Sequence, residues 1–290
     1  MPMAPPRSSI ACYVCKERTA LPYTKKNGCE LFRCSICGLI FVYPLPQSTE
    51  AIYEQDYFEG ATDGFGYLSY DTDKEPMIPA FKKYLRHIDA ALPAKGKLLD
   101  VGAATGFFVG LAGEAGFDAE GVDISDHAAS HGRAKGLSIR TGVIDDMSGH
   151  FDAVTMLDVI EHVPDPRAVL SKAAALLRSG GVLVINTPDV GSFVARVLGR
   201  HWHAIIPPEH LYYFNRANMR YLLKEAGFEV AEVTTIIKSF TLNYICKTLH
   251  QSTRMGLFLK ISSLCSRWPL SKISIPINLH DSMFVLARKK

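Results

Sequence analysis

The sequence predicts an α/β protein with a mostly parallel, doubly wound sheet and a small cysteine-rich module before it. The apolar run Lys97–Val101 is typical of a strand buried on both faces, and a glycine-containing turn follows it. Strand and helix patterns then alternate along the chain, which is typical of parallel sheets. Two Cys-x-x-Cys pairs near the start of the chain indicate a module stapled by a metal.

Composition is that of an ordinary globular protein, but the charge is unevenly distributed. The chain has 290 residues and a net charge of +3. From Lys238 onward it carries nine Lys or Arg and one acid, Asp281, a net of +8 that leaves −5 for the rest. A basic segment on an acidic body indicates a polyanionic partner or a membrane surface, although a solvated basic face explains it equally well. Finding no signal peptide and no apolar run of about 18 residues, we expect a cytoplasmic protein with peripheral membrane contact.

The cysteine pairs define the first predicted module, a zinc ribbon over residues 1–47. Eighteen residues separate the pair Cys12/Cys15 from the pair Cys34/Cys37, a spacing typical of a four-cysteine zinc site. Each pair forms a tight knuckle that directs two thiolates at one tetrahedral ion. A disulfide alternative fits poorly with a chain that has no secretion signal. Cys29, between the pairs, is expected to be a free thiol. Cys246 and Cys265 stand in apolar surroundings and are expected to be core residues.

Residues 48–95 are predicted to form an aromatic-rich lid and a linking helix. Six aromatic side chains fall between residues 53 and 70, and most are expected to pack, with Tyr67 or Tyr70 as candidates to close over a cofactor. An amphipathic helix follows over 74–92, with an apolar stripe formed by Ile78, Phe81, Tyr84, Leu85 and Ile88.

The turn after Lys97–Val101 carries the first functional motif, Asp-Val-Gly-Ala-Ala-Thr-Gly over residues 100–106. Gly102 and Gly106 suit a sharp turn that a ligand approaches closely. The next strand ends in Asp123, about 20 residues beyond the first glycine, where an acid meets ribose hydroxyls. This spacing is not that of a dinucleotide fold. It resembles motif I of class I S-adenosylmethionine-dependent methyltransferases, with Ala104 replacing the middle glycine; an ordinary strand–helix turn is the alternative.

The resemblance implies that S-adenosylmethionine is the cofactor and suggests which residues bind it. In related methyltransferases an acid after the third strand contacts the adenine amine. Val143 stands at that place here, so backbone groups or Asp145 are expected to serve. Asp158 is expected to border the methionine end. The implied cofactor residues are Asp100, Gly102, Ala104, Gly106, Asp123, Ile124, Asp145, Leu157 and Asp158.

Two further runs extend the resemblance. Residues 151–166, F-D-A-V-T-M-L-D-V-I-E-H-V-P-D-P, resemble the segment after strand four of ubiquinone-type methyltransferases. Residues 209–214, E-H-L-Y-Y-F, resemble a segment of deoxysugar C-methyltransferases, which also begin with a zinc-binding module. In that family the Glu-His pair lies at the acceptor and is linked to proton abstraction. The resemblance therefore implies His210, with Glu209 beside it, as the first candidate base. His162 is the second candidate. His210 is expected to have a pKa near the unperturbed value of about 6.5. The alternative for each histidine is a hydrogen-bonded structural role.

The remaining elements complete a Rossmann-like seven-stranded methyltransferase sheet over residues 96–290, with helices on both faces. Ser125, Pro166 and Asn215 are predicted to start helices. A fifth strand is expected over 180–188 and a sixth over 228–233. A seventh strand over 283–288 is expected to run antiparallel at the sheet edge, after a basic insertion, 239–280, whose apolar spacing fits helices.

The predicted function is S-adenosylmethionine-dependent methylation of a small or lipid-linked metabolite, with a structural zinc ion. An O- or C-methylation in glycan or secondary-metabolite biosynthesis is expected, since the Asn-Pro-Pro-aromatic motif of amino-group methyltransferases is absent from the fourth strand's end. One alternative is an RNA methyltransferase that uses the ribbon and the basic insertion, although few aromatics interleave that charge. Another is a non-catalytic cofactor-binding module, supported by Ala104 and Val143.

Overall fold

The computed structural model describes residues 10–46, 71, 74–243, 245–246, 250, 256–265, 273–277 and 279–290. The predicted lid over 48–70, including Tyr67 and Tyr70, lies outside the described residues.

The strands and helices follow the predicted alternation. The strands are β1 (Ala20–Lys26), β2 (Cys29–Cys34), β3 (Ile40–Val42), β4 (Lys97–Val101), β5 (Asp118–Asp123), β6 (Ile139–Thr141), β7 (Phe151–Leu157), β8 (Leu177–Pro188), β9 (Tyr212–Tyr213), β10 (Phe228–Thr234), β11 (Lys238–Thr241), β12 (Ser274–Ile277) and β13 (Ser282–Lys289). The helices are α1 (Ile78–Ala91), α2 (Phe107–Glu114), α3 (Asp126–Ala134), α4 (Pro166–Leu176), α5 (Phe193–Leu198), α6 (Arg216–Glu225) and α7 (Gly256–Cys265). Short 3₁₀ turns occupy Glu75–Met77, Ile144–Asp146 and Gly199–His201.

The central sheet has seven strands in the order β10-β13-β8-β7-β4-β5-β6. Strands β6, β5, β4, β7 and β8 are parallel, and β13 is antiparallel to both of its neighbours. This architecture confirms the predicted α/β fold. The seventh strand, β13, is not at the edge as the sequence suggested, because β10 pairs along its other side. Residues 283–287 of β13 are all buried, which suits an interior strand, whereas β10 exposes Glu229.

Helices cover both faces of the sheet because alternate strand residues point to opposite sides. Leu99, Val154 and Leu183 pack in one apolar cluster that also contains Leu170 of α4 and Leu222 of α6. The neighbouring strand positions face the other cluster, which contains residues of α1, α2 and β13: Leu98, Val184, Phe81, Phe108 and Phe284.

The predicted helix starts are present. The Ser125 side chain accepts a hydrogen bond from the Ala128 N–H, and Asn215 accepts from the N–H groups of Ala217 and Asn218. Asp165 caps α4 in the same way, with Pro166 at its first position. These caps fix where each helix leaves the sheet.

The ribbon strands β1, β2 and β3 form an antiparallel sheet that is completed by β9 from the larger domain. Ile40 pairs with Tyr213 and Phe41 with Tyr212. The Arg167 side chain donates to the carbonyl oxygens of Tyr13 and Val14, within the first cysteine knuckle. The ribbon therefore packs directly on the segment that follows β8.

The insertion between β10 and β13 contains strands as well as a helix. Strands β11 and β12 pair antiparallel, with Ser239 opposite Pro276, and α7 lies between them in sequence. The predicted helical spacing is present in α7, whereas the two strands were not predicted. The proline inside Ser274–Ile277 disfavours a helix there and is tolerated in a two-stranded sheet. As predicted, Cys246 and Cys265 are buried.

The turn between β4 and α2 has a left-handed backbone at three positions. Gly102 and Gly106 have φ of 72° and 77°, and Ala104 has φ of 49°. A Cβ at Gly106 would lie 2.7 Å from Leu137 Cδ1 and 3.0 Å from Ile139 Cδ1. Glycine is therefore favoured at 106 by its conformation, and a Cβ there would also displace the ends of these two side chains.

Gly106→Ala should lower the free energy of unfolding by about 2–4 kcal/mol, the sum of left-handed strain and overpacking. Urea denaturation of the full chain measures this. Gly113→Ala in α2 is the matched control, since a Cβ there meets nothing within 4 Å. The control should be neutral or stabilising by up to ~1 kcal/mol. Equal effects of the two substitutions would show that the turn is unstrained.

Candidate active site at the carboxyl ends of β4, β5 and β7

Asp123 closes the turn between β4 and α2. Its Oδ2 accepts from the Ala104 N–H at 2.7 Å and its Oδ1 from the Ser125 N–H at 2.9 Å. Burial raises the pKa of Asp123 and these two hydrogen bonds oppose the rise. Each carboxylate oxygen keeps a second lone pair, so the group can still accept from hydroxyls on a ligand.

Asp100 lies at the end of β4 and is buried, as is Lys74 just before α1. Its Oδ1 accepts from Thr155 Oγ1 at 2.5 Å. Burial raises the pKa of Asp100 to about 7, against the hydrogen bond from Thr155. This carboxyl group is therefore close to half-protonated at neutral pH.

Asp158 follows β7 and has a left-handed backbone, with φ of 59°. Its Oδ1 accepts from Asn186 Nδ2 at 2.6 Å, and its Oδ2 lies 3.0 Å from Lys238 Nζ. Burial raises the pKa of Asp158, but the ammonium groups of Lys238 and Lys74 and these hydrogen bonds outweigh it, so the pKa lies below its usual range. Asp158 is thus an ionised carboxylate.

Glu161, which sequence analysis did not select, is a buried carboxyl group three residues beyond Asp158. Its Oε2 accepts from Thr187 Oγ1 at 2.9 Å. Its Oε1 lies 3.9 Å from His162 Nε2, and within the described part of the chain no hydrogen-bond donor reaches it. Burial, with the nearby charge of Asp158, raises the pKa of Glu161 to about 8. Glu161 therefore holds a proton at neutral pH.

The two predicted histidines lie together, with ring centroids 4.7 Å apart in an edge-to-face arrangement. His162 Nδ1 lies 2.9 Å from the Glu209 carbonyl oxygen, and His210 Nδ1 lies 2.9 Å from that of Ala204. Because a carbonyl oxygen only accepts, each Nδ1 carries the proton and each neutral ring keeps its Nε2 lone pair.

Both imidazoles are neutral because they are buried. Burial lowers the pKa of His162 to about 4, against its hydrogen bond to the Glu209 carbonyl. Burial, and then the neighbouring His162, lower the pKa of His210 well below its ordinary value. The sequence-based expectation that His210 titrates near 6.5 is therefore wrong, because it assumed an exposed ring.

Glu161, His162 and His210 form a cluster whose ligand atoms all lie within 4.8 Å of one another. Two Nε2 lone pairs, with Glu161 once it has lost its proton, could hold a divalent metal ion, and the same groups could exchange a proton with an acceptor. The Glu209 carboxylate does not belong to this cluster; Glu209 holds His162 through its backbone carbonyl.

Four cysteines form a second cluster in the ribbon. Sγ atoms of Cys12 and Cys37 are 3.6 Å apart, those of Cys15 and Cys34 are 3.5 Å apart, and all four lie within 4.8 Å of one another. A tetrahedral zinc ion with Zn–S bonds of about 2.3 Å has S–S edges of about 3.8 Å. The cluster therefore fits one zinc ion.

The other predicted cofactor residues lie around this edge of the sheet. Ile124 and Asp145 are exposed, Leu157 is half-buried, and Val143 is exposed. Lys238 was missed because its contact with Asp158 spans 80 residues of sequence. Glu161 had a signal: it stands beside His162 in the run that resembles ubiquinone-type methyltransferases.

The chain is similar to curated proteins with a shared name. The chain is 26% identical over 204 residues to the ubiquinone biosynthesis O-methyltransferase of Xanthomonas axonopodis pv. citri, covering 63% of this chain and 85% of that protein. It is 28% identical over 167 residues to the enzyme of the same name from Thiobacillus denitrificans, covering 52% and 72%.

Solved structures share the fold. The crystal structure of magnesium protoporphyrin IX methyltransferase from Synechocystis PCC 6803 with bound SAH matches with a TM-score of 0.54 and 16% identity, covering 83% of this chain and 100% of that one. A family model described as a methyltransferase domain matches residues 75–233, more than half of the chain. With the seven-stranded sheet and the motif I turn, this match shows that the chain belongs to the class I S-adenosylmethionine-dependent methyltransferases.

Proposed function

We propose that the enzyme methylates a hydroxyl group or a carbon atom of a small or lipid-linked metabolite, in glycan or secondary-metabolite biosynthesis. The observation that carries this proposal is the pair of neutral imidazoles, half-buried His162 and buried His210, beside the end of β7. A hydroxyl or carbon acceptor must lose a proton, and an unprotonated Nε2 can take it. The names of the curated relatives support an oxygen acceptor, and the 209–214 segment supports a carbon or sugar acceptor.

His210 is proposed as the base and His162 as its neighbour in the cluster. The Ala204 carbonyl holds the His210 ring in the tautomer with Nε2 unprotonated. Transfer of the acceptor's proton to Nε2 leaves an oxygen or carbon lone pair free to attack the methyl carbon. Bound S-adenosylmethionine supplies a methyl group that is already activated on sulfur, so the protein mainly aligns the acceptor and excludes water.

Asp123 is proposed to accept hydrogen bonds from both ribose hydroxyls of the cofactor. Its carboxylate is fixed by two backbone N–H groups, so it needs little reorganisation on binding. Gly102 is proposed to let the backbone approach the ligand, and Asp158 to border the methionine end. These assignments rest on the resemblance to motif I together with the geometry of the turn.

The ribbon is proposed to hold one structural zinc ion through Cys12, Cys15, Cys34 and Cys37. Pairing of β3 with β9 and the bonds from Arg167 to the first knuckle support a second role, positioning the residues around His210. These contacts also favour the metabolite enzyme over the RNA methyltransferase, because they pair the ribbon with the rest of the same chain rather than leaving it for RNA. Ala104 gives no support to a non-catalytic module, because it adopts the left-handed conformation that a glycine would have.

Asp123→Asn should weaken binding of S-adenosylhomocysteine by about 10- to 150-fold, the range for losing one hydrogen bond to a charged group. Isothermal titration calorimetry measures the change. Asp126→Asn is the control: Asp126 is exposed three residues further on and should leave affinity unchanged. Thermal unfolding of both variants separates a disordered turn from a lost ligand contact. A folded Asp123→Asn protein with unchanged affinity would contradict the assignment.

Turnover tests the acceptor class and the base together. The enzyme is incubated with methyl-labelled cofactor and with extract from a strain that lacks it, in which the acceptor accumulates. Label should enter the small-molecule or lipid fraction; label in RNA would support the RNA alternative. His210→Ala should lower turnover by about 10²–10⁴-fold and leave cofactor affinity intact, and His162→Ala should do less.

The pH profile checks the same base. A base acts when unprotonated, that is above its pKa, and burial places the pKa of His210 well below 6.5. The His210-dependent part of turnover should therefore persist as the pH falls through 6.5. A loss centred at 6.5, or a larger effect of His162→Ala than of His210→Ala, would contradict the proposed role.

Removal of the metal tests the ribbon. Elemental analysis should find about one zinc per chain in the cysteine site. Cys34→Ser should lose that zinc and lower turnover more than cofactor affinity, because β9 pairs with the ribbon whereas the turn that holds Asp123 does not. Cys29→Ser is the matched control, since Cys29 lies outside the cluster. Retention of zinc in Cys34→Ser would contradict the proposed zinc site. Full turnover after loss of the zinc would contradict the proposed positioning role of the ribbon.

A further inference from the structure

Two lysines from distant parts of the sequence lie near Asp158. Lys238 Nζ is 3.0 Å from Asp158 Oδ2 and 3.2 Å from its Oδ1, and the lysine side chain is only 16% exposed. Lys74, which stands just before the 3₁₀ turn Glu75–Met77, is 7% exposed. Strand β11, which Lys238 begins, packs against that turn, so the two lysines belong to adjacent elements of the fold.

The segment that contains Lys74 is attached on both sides of it. Before Lys74, the Asp71 Oδ1 accepts from Thr105 Oγ1 at 2.5 Å, in the turn between β4 and α2. After Lys74, Met77 is buried in the apolar cluster that α1 and α2 form on one face of the sheet. Lys74 therefore lies near the carboxyl end of β4, where its ammonium group opposes the burial that raises the pKa of Asp100.

The charge on the cofactor explains why such lysines are needed here. The methionine end of S-adenosylmethionine is a zwitterion, with an ammonium group and a carboxylate on one carbon atom. The ionised carboxylate of Asp158 attracts the ammonium group and repels the carboxylate. Because a desolvated carboxylate without a partner is costly, a site for the whole zwitterion needs a cation beside the acid. Each lysine ammonium group has three N–H donors and can bind Asp158 and a ligand carboxylate at the same time.

We propose that Lys238 and Lys74 bind the carboxylate of the cofactor's methionine end, with Asp158 beside its ammonium group. This inference rests on the proposed cofactor site and adds two binding residues that motif I does not contain. Through them the insertion, by way of β11, and the segment before α1 both contact the cofactor. The two lysines thereby make the site selective for ligands that have the amino acid carboxylate over adenosine derivatives that lack it.

Isothermal titration calorimetry of the full chain with two ligands tests the proposal. S-adenosylhomocysteine has the whole zwitterion, whereas its decarboxylated analogue keeps the adenosine, the sulfur atom and the ammonium group and lacks only the carboxylate. Lys238→Met should weaken binding of S-adenosylhomocysteine by about 10- to 150-fold, the range for one hydrogen bond between charged groups, and should not weaken binding of the analogue. Lys74→Met should have the same selective effect. Lys238→Arg keeps the positive charge and should retain most of the preference for S-adenosylhomocysteine.

Matched variants separate this proposal from the cofactor site on which it rests. Lys97→Met removes an exposed lysine at the opposite end of β4 and should bind both ligands as the parent does. Asp123→Asn should weaken both ligands alike, because both contain the ribose; if it weakens neither, the proposed cofactor site itself is wrong. Thermal unfolding of each variant shows that it folds. Equal weakening of the two ligands by the lysine variants, or unchanged binding of S-adenosylhomocysteine, would overturn the proposal.

Discussion

The active-site arrangement depends on a hydrogen-bonded backbone seam at residues 211–213. On one side the Leu211 and Tyr212 N–H groups donate to the Glu161 carbonyl at 2.9 and 3.2 Å. On the other side the Val42 N–H donates to the Leu211 carbonyl, and β3 pairs with β9. His210 immediately precedes this seam, so the seam fixes the backbone from which its ring projects, and the Ala204 carbonyl oxygen holds the ring itself. Since precise placement of a reacting group lowers a barrier substantially, the proposed role of His210 as the base would connect the ribbon to the chemistry.

Burial drives neighbouring carboxyl groups to different protonation states. Asp158 stays ionised because Lys238, Lys74 and hydrogen bonds outweigh its desolvation. Glu161 and Asp100 have fewer such partners, so burial raises their pKa values to about 8 and about 7. Near neutral pH Asp158 thus carries a full negative charge, while the neighbouring histidine cluster stays close to neutral. A neutral cluster with two unprotonated Nε2 atoms is chemically suited to receive a proton.

The features that the sequence predicted correctly are those that depend on residues close together in the chain. Short-range sequence signals predicted three features that the structure contains. They are the alternation of strands and helices along the chain, the helix caps at Ser125 and Asn215, and the burial of Cys246. The pKa of His210 was mispredicted because its ring is buried against His162, which is distant in sequence and is brought close by the fold. The contact between Lys238 and Asp158 could not be predicted for the same reason. The position of β10 at the sheet edge could not be predicted either, because strand order is set by long-range pairing.

The pair of Lys238 and Asp158 couples the insertion to the cleft. Lys238 is the strongest of the groups that favour the ionised form of Asp158, and it opens β11, whose partner β12 closes the insertion. A displacement of β11 away from β7 would leave a desolvated carboxylate without that ammonium, and its pKa would rise. The charge state at the cleft is therefore linked to the placement of the insertion. A surface contact that stabilises the insertion in its observed position would, by that linkage, also favour the ionised site.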